Sequence, residues 1–354
     1  MADSKQSSVI FVGWINFKGK SQGGETMKNQ LLIERLRQLG IKCLLVDFYK
    51  WKRHPWIFFK FVYYLIIHPR ATLILSTTAK NIYPLLKLFH FLRVKRNIVH
   101  WVIGGQFGQL VLQGNYKSEI LNEANHTLVE SDKIVNELES CGVRGAMMVP
   151  NFKFITNRPT QISSFDPDHK RFLFLSRIMP EKGCDYILEA AKTLNQEGLK
   201  DNFSIDFYGE INEEYREVFI KKIKSIPNVS YCGYFDMRQK DAYHKLSVYD
   251  AMIFPTFWRS EGFPGVICDA FIVGLPILAS DWAHNTYILE QGKTALIHPV
   301  HDVEALTNDM RNVINNNIDL QTMKKHAYME IEKYDINNVL TEKLLKEIGI
   351  IEAN

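Results

Sequence analysis

Short, continuous apolar runs alternate with longer segments of helical spacing along most of the chain. Over residues 25–39, leucines recur at helical spacing, and the pattern stops at Gly40, a residue type that commonly ends helices. Continuous apolar strands between helices are typical of a parallel sheet that is covered on both faces. In the first half of the chain, the pattern predicts strands over residues 9–13, 41–47, 71–76, 98–103, 127–130 and 146–149.

The pattern is interrupted once and then starts again. Residues 157–170 are polar, contain two prolines and show no periodicity, which is typical of a linker. Beyond them we predict strands over residues 171–176, 203–208, 229–231, 250–254, 276–280 and 295–297. The intervening helices are predicted over residues 183–194, 213–225, 240–246 and 264–273.

This repetition and the length of 354 residues predict two domains, since one domain usually contains roughly 100–200 residues. We predict an α/β fold with two doubly wound, Rossmann-like domains over residues 1–160 and 170–334. A final helix over residues 335–348 ends at Gly349, and we expect residues 335–354 to pack back on the first domain. Ligands of open parallel sheets bind beyond the carboxyl ends of the strands, so residues that directly follow strands are the first candidates for a site.

The strongest chemical pattern follows the strand predicted over residues 250–254. Glu261 precedes a Gly-Phe-Pro-Gly run, in which Pro264 suits the first turn of a helix and Gly265 allows close approach of a ligand. The helix N-terminus would present free N–H groups to an anion such as a pyrophosphate. Asp269 lies eight residues beyond Glu261, and both acids can accept hydrogen bonds from hydroxyl groups of a ligand. The alternative, an acidic helix start with a solvated acid, does not explain the Gly-Phe-Pro-Gly run.

A pair of cations forms the second pattern. Arg177 and Lys182 follow the strand over residues 171–176, in a loop that opens a helix. Two cations at such a place can clamp a diphosphate and stabilise the charge that develops on it when a bond to it breaks. The alternative is solvated surface charge.

The third pattern is a pair of glycines in the segment 21–26, after the first strand. Gly23 and Gly24 precede a helix and are typical of a backbone cradle for phosphate or sugar, with an ordinary turn as the alternative. The first strand–turn–helix contains no GxGxxG, which counts against a dinucleotide site.

Taken together, the three patterns resemble the retaining GT-B glycosyltransferases of family 4, the glycosyl transferases group 1, in their order and approximate spacing. The resemblance is close over residues 170–300 and sparser in the first half. It implies two facing Rossmann-like domains with the active site in the cleft between them. It also implies retaining transfer of a hexose from a nucleoside-diphosphate sugar, UDP-sugar first among them, with no cofactor and no catalytic metal.

The resemblance assigns roles to residues of the second domain. Arg177 and Lys182 would hold the diphosphate, Glu261 would lie at the donor sugar, and Asp269 would bind the ribose hydroxyls. At the last position the family usually has Glu, so this chain has a shorter side chain there. Phe235 would contact the base. Backbone contacts to sugar and phosphate would come from Gly262, Phe263, Pro264, Gly265 and Val266.

Three residues of the first domain complete the predicted donor site. Gly23 and Gly24 would approach the donor, and His100 would take the place of a family histidine near the donor sugar. Two alternatives stay open here. His100 lies in an apolar strand, where a hydrogen-bonded core histidine is equally consistent, and Gly104 with Gly105 either lines the sugar pocket or ends a strand.

Charge is distributed unevenly along the chain. Residues 1–150 carry 20 Lys and Arg against 10 Asp and Glu, whereas the remainder carries 23 against 29. A basic first half indicates an anionic partner, and we expect a glycan or lipid-pyrophosphate-linked oligosaccharide acceptor and an anionic membrane surface. Nucleic acid is not expected, because the basic residues form no obvious recognition helix and the second half is acidic. The aromatic, basic stretch 49–61 suits a membrane interface, but we expect its apolar face to pack on the first sheet and only its cations to face a partner.

Cysteine usage and hydropathy indicate a compartment. The five cysteines are widely spaced and form no CxxC pair, so we expect reduced thiols in or near the core and no metal site. The first eight residues are polar and show no signal-peptide pattern, and the apolar run 56–67 is shorter than the roughly 20 residues that a membrane-spanning helix needs. We expect a cytoplasmic protein, peripheral on the inner face of the cytoplasmic membrane.

The sequence therefore predicts a hexosyltransferase of bacterial surface polysaccharide synthesis. Two alternatives remain: a nucleotide-sugar epimerase of the same fold, and a non-catalytic module that binds a sugar nucleotide or a polyanion. Sugar isomerisation without any acceptor would identify the epimerase.

Overall fold

A computed structural model describes residues 8–17, 23–49 and 51–352. These residues form two compact units. The first unit contains the chain up to Phe154 together with the segment from Asp335 onward, and the second contains Ile155–Tyr334. Ser21 and Gln22 of the first glycine segment, and residues 1–7, lie outside the described residues.

A parallel sheet forms the centre of the first unit. Its strands are β1 (Ser8–Gly13), β2 (Lys42–Asp47), β3 (Thr72–Thr77), β4 (Ile98–Val102), β5 (His126–Val129) and β6 (Ala146–Met148). They pair in the order β2-β1-β3-β4-β5-β6. The helices are α1 (Gly24–Gln38), α2 (Ile57–Ile67), α3 (Ala79–Leu92), α4 (Phe107–Leu112), α5 (Ser118–Leu121) and α6 (Asp132–Ser140), with a 3-10 turn at Trp51–Arg53.

Helices cover both faces of this sheet, which explains its continuous apolar strands. On one face, Leu32, Ile33 and Leu36 of α1 pack against the strands. On the other face, side chains of α2, α3, α5 and α6 form a separate cluster. All six residues of β3 are buried as a result.

The second unit repeats this arrangement. Its strands are β7 (Lys170–Leu175), β8 (Phe203–Tyr208), β9 (Val229–Gly233), β10 (Ala251–Phe254), β11 (Ile277–Ser280) and β12 (Ala295–His298), in the parallel order β12-β11-β10-β7-β8-β9. Its helices are α7 (Cys184–Gln196), α8 (Arg216–Ile223), α9 (Ala242–Leu246), α10 (Gly265–Ile272), α11 (Asn285–Ile288), α12 (Val303–Ile314) and α13 (Leu320–Glu330). Short 3-10 helices lie at Pro180–Lys182, Lys200–Asn202, Glu213–Tyr215 and Ile331–Tyr334.

The C-terminal segment corrects one sequence prediction. Instead of a single helix over residues 335–348, the structure has α14 (Ile336–Val339) and α15 (Glu342–Glu347). The break lies at Leu340, which leaves helical geometry, and the hydroxyl of Thr341 accepts a hydrogen bond of 3.3 Å from the N–H of Leu344 and so starts the second helix. Leu340, Leu345 and Ile348 are buried with the α1 leucines in the first unit.

One further prediction needs correction, and a second is confirmed only in part. Cys232 is exposed rather than in or near the core. As predicted, α2 packs on the first sheet, through the buried Phe61 and the partly buried Ile57, Tyr64 and Leu65, but its other large apolar side chains are exposed. The twelve strands predicted from the sequence are confirmed, most of them to within one residue at each end.

Each sheet has a point at which the direction of chain progression reverses. In the first sheet this point lies between β1 and β3, and in the second between β7 and β10. Loops that follow the two strands of such a pair diverge and leave a crevice at the carboxyl edge, where ligands of doubly wound sheets bind. The fold therefore assigns one candidate crevice to each unit.

Candidate nucleotide-sugar site

The loops after β7 and β10 meet at the switch point of the second sheet. The first carries Arg177 and Lys182, and the second carries Glu261. Packing between these loops is tight. Gly183 has a φ of +74°, and a Cβ at this position would collide with the backbone of Pro255; a Cβ at Gly209, after β8, would collide with the carbonyl of Ser176. Both glycines are needed for this approach of backbone to backbone.

Lys182 and Glu261 form a buried ion pair in this crevice. The Lys182 ammonium donates to Oε2 of Glu261, and the two residues are only 6% and 9% exposed. The hydroxyl of the fully buried Thr256 lies 2.9 Å from the same oxygen and donates to it. An isolated charge would be costly at this depth, so each partner makes the burial of the other tolerable. Because an ammonium has three donors, Lys182 can hold Glu261 and still donate to a further anion.

Arg177 differs from Lys182 in its surroundings. Its side chain is exposed, and the guanidinium lies 5.4 Å from the ring centroid of Trp258. No described acid forms a salt bridge with Arg177. A guanidinium that rests on an aromatic ring keeps its planar fork of donors available for a phosphate.

Helix α10 begins at the same crevice. Its N-cap is Pro264, and its first turn contains no acidic residue that would occupy the positive end of the helix. Gly262, Gly265 and Val266 are partly exposed, whereas the side chain of Phe263 is buried and packs edge-on against Tyr334 with 4.9 Å between ring centroids. Phe263 thus anchors the loop in the core, and the backbone around it stays at the surface.

Asp269 lies deeper than Glu261. It is 4% exposed, and the hydroxyl of the buried Tyr243 donates to its Oδ1 at 3.0 Å. Burial, with Asp269 beside it, holds the pKa of Tyr243 well above its usual value, so the tyrosine remains a donor at physiological pH. No pattern in the sequence pointed to this partner, which lies 26 residues away on α9.

Phe235 follows β9 and belongs to a small aromatic group. Its ring meets that of Tyr208 edge-on at 5.1 Å between centroids. The hydroxyl of Tyr249 donates to Asp206 at 2.7 Å in the same region. Phe235 is only partly buried, which leaves part of its ring for a flat ligand.

The crevice of the first unit contains Gly23 and Gly24 at the start of α1. Both are exposed, and a Cβ added to either would meet no atom within 4 Å. Packing in the described part of the chain therefore does not require glycine at these positions.

Glu25, the next residue, was not among the predicted site residues. Burial raises its pKa from 4.5 to about 7, against a smaller opposing effect from a hydrogen bond with the side chain of Thr77 at the end of β3. Its Oε1 is buried and has no partner among the described residues. The nearest cation along the helix, Lys28, is engaged with Glu130 at 2.6 Å. A partly unsatisfied carboxyl at a sheet switch point is typical of functional sites. The signal in the sequence was an acid directly after the glycine pair.

His100 lies inside the first sheet. It is 1% exposed, its Nε2 lies 3.3 Å from the carbonyl oxygen of Thr77, and Phe107 packs against its ring at 5.5 Å. Burial lowers the pKa of His100 to about 4, so the imidazole is neutral. This is the geometry of a hydrogen-bonded core histidine, and it favours that alternative over contact with a donor sugar.

Two searches of the described residues complete the picture. They contain no group of three or more His, Cys, Asp or Glu side chains arranged to hold a metal ion. Of the helices that the structure describes, none combines the length and the apolar character needed to cross a bilayer.

Comparisons with known proteins concern the second unit and the fold of the chain. Residues 157–330 match the family model described as glycosyl transferases group 1, and they make up nearly all of the second unit. The structure of Anabaena Alr3699/HepE in complex with UDP superposes with a TM-score of 0.71 over 97% of this chain and 100% of that one, at 14% identity. The second unit therefore matches the glycosyl transferases group 1 model over nearly all of its length, and the fold of the chain is GT-B.

Two curated relatives come from bacteria. An uncharacterised 41.2 kDa protein in the cps region of Klebsiella pneumoniae is 28% identical over 138 residues, which are 39% of this chain and 35% of that protein. The amylovoran biosynthesis glycosyltransferase AmsK of Erwinia amylovora is 22% identical over 186 residues, 50% of this chain and 44% of that protein. The chain thus matches less than half the length of these relatives.

Proposed function

We propose that this protein is a retaining hexosyltransferase that uses a nucleoside-diphosphate sugar, with a UDP-sugar as the preferred donor. The observation that carries the proposal is the crevice between β7 and β10, where an exposed arginine, a paired buried lysine and the start of α10 converge. Charged donors and a helix N-terminus at one place suit a diphosphate. The UDP complex of the structurally similar HepE supports uridine as the base.

In the proposed reaction, the residues of this crevice stabilise the leaving group. Arg177 and Lys182 neutralise the charge that grows on the diphosphate as its bond to the sugar breaks. Glu261 fixes the Lys182 ammonium and, with the backbone from Gly262 to Val266, orients the donor sugar. The departing phosphate takes the proton of the acceptor hydroxyl, and the new bond forms on the face that the diphosphate leaves. Because two protein cations perform the neutralisation, we propose that no catalytic metal and no cofactor take part.

We further propose that the acceptor is a glycan, carried on a lipid pyrophosphate, and that the pathway is bacterial surface polysaccharide synthesis. The amylovoran and cps relatives support the pathway. The first 150 positions contain 20 basic and only 10 acidic residues, and this net positive charge supports an anionic acceptor on the first unit. The corresponding location is the inner face of the cytoplasmic membrane, with the protein held there peripherally.

Nucleotide binding tests the donor site directly. A ligand at 100 times its dissociation constant adds about 2.7 kcal/mol to the free energy of unfolding, which shifts the thermal midpoint by a few degrees. We expect UDP to produce this shift and GDP, ADP and dTDP to produce less. Arg177→Ala should abolish most of the shift and leave the ligand-free midpoint unchanged, because the side chain is exposed. Lys192→Ala, an exposed cation on α7, is the matched control.

Product analysis tests the reaction. Radiolabelled UDP-hexoses should transfer label to lipid-linked oligosaccharides, the product should keep the anomeric configuration of the donor, and EDTA should have no effect. Isomerisation of the sugar nucleotide without acceptor would instead establish an epimerase. UDP binding with neither reaction, across a panel of donors and acceptors, would establish a binding module.

A further inference from the structure

The surface of α2 and α3 in the first unit is both strongly apolar and exposed. Ten large apolar side chains here are 45% to 82% exposed, and we call them the α2–α3 surface. They are Trp56, Phe58, Phe59, Val62, Tyr63, Ile66, Ile67, Leu88, Phe91 and Leu92. Since a whole aromatic side chain has roughly 150–250 Å² of surface, the summed exposed area of these ten side chains exceeds the roughly 300–600 Å² of the largest apolar patch on an ordinary monomer.

The two helices lie on the same face of the sheet. The crossovers from β2 to β3 and from β3 to β4 run in the same direction across the strand order, and right-handed crossovers then place both helices on one side. Their inward residues, including Phe61, Leu86 and Phe89, share one core cluster. Arg96, before β4, donates to the carbonyl oxygens of Leu65 and His68 at 2.8 and 2.9 Å and ties the end of α2 to the segment that follows α3. The exposed residues recur at positions 59, 62, 63 and 66 of α2 and 88, 91 and 92 of α3, each set forming one outward stripe.

The segment that carries this surface has charge of one sign, and from outside the segment Glu123 lies 2.7 Å from the His90 imidazole of α3. Between Asp47 and Glu119 the sequence contains no acidic residue, while it contains 11 Lys and Arg. The exposed cations beside the apolar stripes are Lys52, Arg53, Lys60, Arg70, Lys87, Arg93 and Lys95. An ordinary solvated surface mixes both signs, so 71 consecutive residues without an acid indicate a partner that is itself anionic.

We propose that the α2–α3 surface docks the protein on an anionic lipid bilayer, with the apolar stripes inserted at the level of the headgroups and the cations on lipid phosphates. Aromatic rings beside Lys and Arg are the composition of interfacial helices, and each cation near an anionic bilayer strengthens binding by about fivefold. A second copy of this chain does not fit, because two surfaces that each carry a large excess of cations would repel each other. The inference rests on α2 and α3 and not on the proposed donor site, so either can fail without the other.

Vesicle binding by the full-length protein tests the proposal. We would measure co-sedimentation with vesicles of phosphatidylcholine alone and with vesicles that contain 30% phosphatidylglycerol, at low and at high salt. We expect binding to the anionic vesicles, at least tenfold weaker binding to neutral ones, and a decrease with salt. The variant Phe59→Ser/Phe91→Ser and the variant Arg53→Glu/Lys60→Glu should each weaken binding at least tenfold.

Matched controls come from the second unit. Tyr287→Ser replaces a side chain of 64% exposure, and Lys221→Glu/Lys224→Glu reverses two exposed charges, so both should bind as the parent protein does. Every substituted side chain is exposed, and unchanged thermal midpoints will show that the variants fold. Equal binding by the α2–α3 variants and the parent, or no binding to anionic vesicles at low salt, would overturn the proposal. So would a dimer in the absence of lipid that Phe59→Ser/Phe91→Ser dissociates, since that result assigns the surface to a second copy.

Discussion

The hydroxyl of Tyr243 donates a hydrogen bond of 3.0 Å to the carboxylate of Asp269, and both side chains are buried in the second unit. The bond joins α9 to α10 and fixes the orientation of an acid that is one methylene shorter than the glutamate usual in the family. If Asp269 binds the ribose of the donor, as the family resemblance implies, Tyr243 is a positioning residue for that contact.

Replacing this tyrosine should therefore weaken binding of the donor more than it slows the chemical step. We expect Tyr243→Phe to raise KM for the sugar nucleotide several-fold with kcat little changed, because the carboxylate loses the group that orients it. Loss of a hydrogen bond to a charged acceptor should also lower the free energy of unfolding by about 1.5–3 kcal/mol. Initial rates at varied donor and acceptor concentration provide the check. Tyr287→Phe, an exposed tyrosine of the same unit, is the control, and an unchanged donor KM would separate Tyr243 from donor binding.

The Lys182–Glu261 pair predicts opposite effects on nucleotide binding and on transfer. Glu261→Gln keeps the shape of the side chain and removes its charge, so the buried ammonium loses its counter-ion and the protein should be destabilised by about 3 kcal/mol. UDP should bind several-fold more tightly to this variant, because its diphosphate supplies the missing negative charge and no longer meets a carboxylate. Transfer should nevertheless fall by at least tenfold, because the donor sugar loses its orienting acid.

Urea unfolding and calorimetric titration with UDP measure these two effects. The exposed pair of Lys293 and Glu290 offers the control: Glu290→Gln should change the free energy of unfolding by less than about 1 kcal/mol and leave UDP binding unaltered. Weaker UDP binding by Glu261→Gln would mean that the diphosphate does not reach Lys182.

Glu25 predicts a pH dependence of stability. Its pKa in the folded protein is about 7, against 4.5 when unfolded, so the unfolded chain loses this proton first as the pH rises. The contribution of Glu25 to stability is therefore greatest below pH 4.5, declines between pH 4.5 and 7, and is lost above pH 7. We expect Glu25→Gln to be more stable than the parent at pH 8, by on the order of 1–3 kcal/mol, and nearly equal to it at pH 4.5.

Denaturation at the two pH values provides this comparison. Glu34→Gln, at an exposed position of the same helix, should show no such difference between the two pH values. A stability gain by Glu25→Gln that is the same at pH 4.5 and 8 would contradict the raised pKa.

The sequence was most informative where one local property decides the structure. Strands buried on both faces must be apolar at every position, so the runs that became β3 and β10 could be recognised without knowledge of the fold. The end of α14 could not be recognised in this way. Helical spacing continues through Leu340, and the break in the helix depends on capping by Thr341. The sequence also could not show that most apolar side chains of α2 are exposed, because an apolar helix has the same composition whether a sheet or another partner covers it.

Contacts within the candidate site depend on strand order, which local patterns do not contain. Lys182 and Glu261 are 79 residues apart, and they meet because β10 lies beside β7 in the sheet. The sequence identified both residues individually as chemically interesting, through their positions after predicted strands. It did not predict that they form a pair, nor that Arg177 lies outside this pair and rests on Trp258.

Gly24 and Gly183 allow a test of whether a glycine is needed for ligand binding or for packing of the protein itself. A Cβ at Gly24 meets no atom within 4 Å, and the residue begins α1, where alanine is a better helix former. Gly24→Ala should therefore leave the free energy of unfolding unchanged or raise it by several tenths of a kcal/mol. We expect transfer to fall at least tenfold if Gly24 approaches the donor as the family resemblance implies, because the added methyl group would then meet the donor. Gly183→Ala should behave in the opposite way: its positive φ and the Pro255 backbone should make the variant unstable by more than about 1 kcal/mol. Parallel unfolding and transfer assays on both variants decide the point, and full activity of Gly24→Ala would show that its glycine serves an ordinary turn.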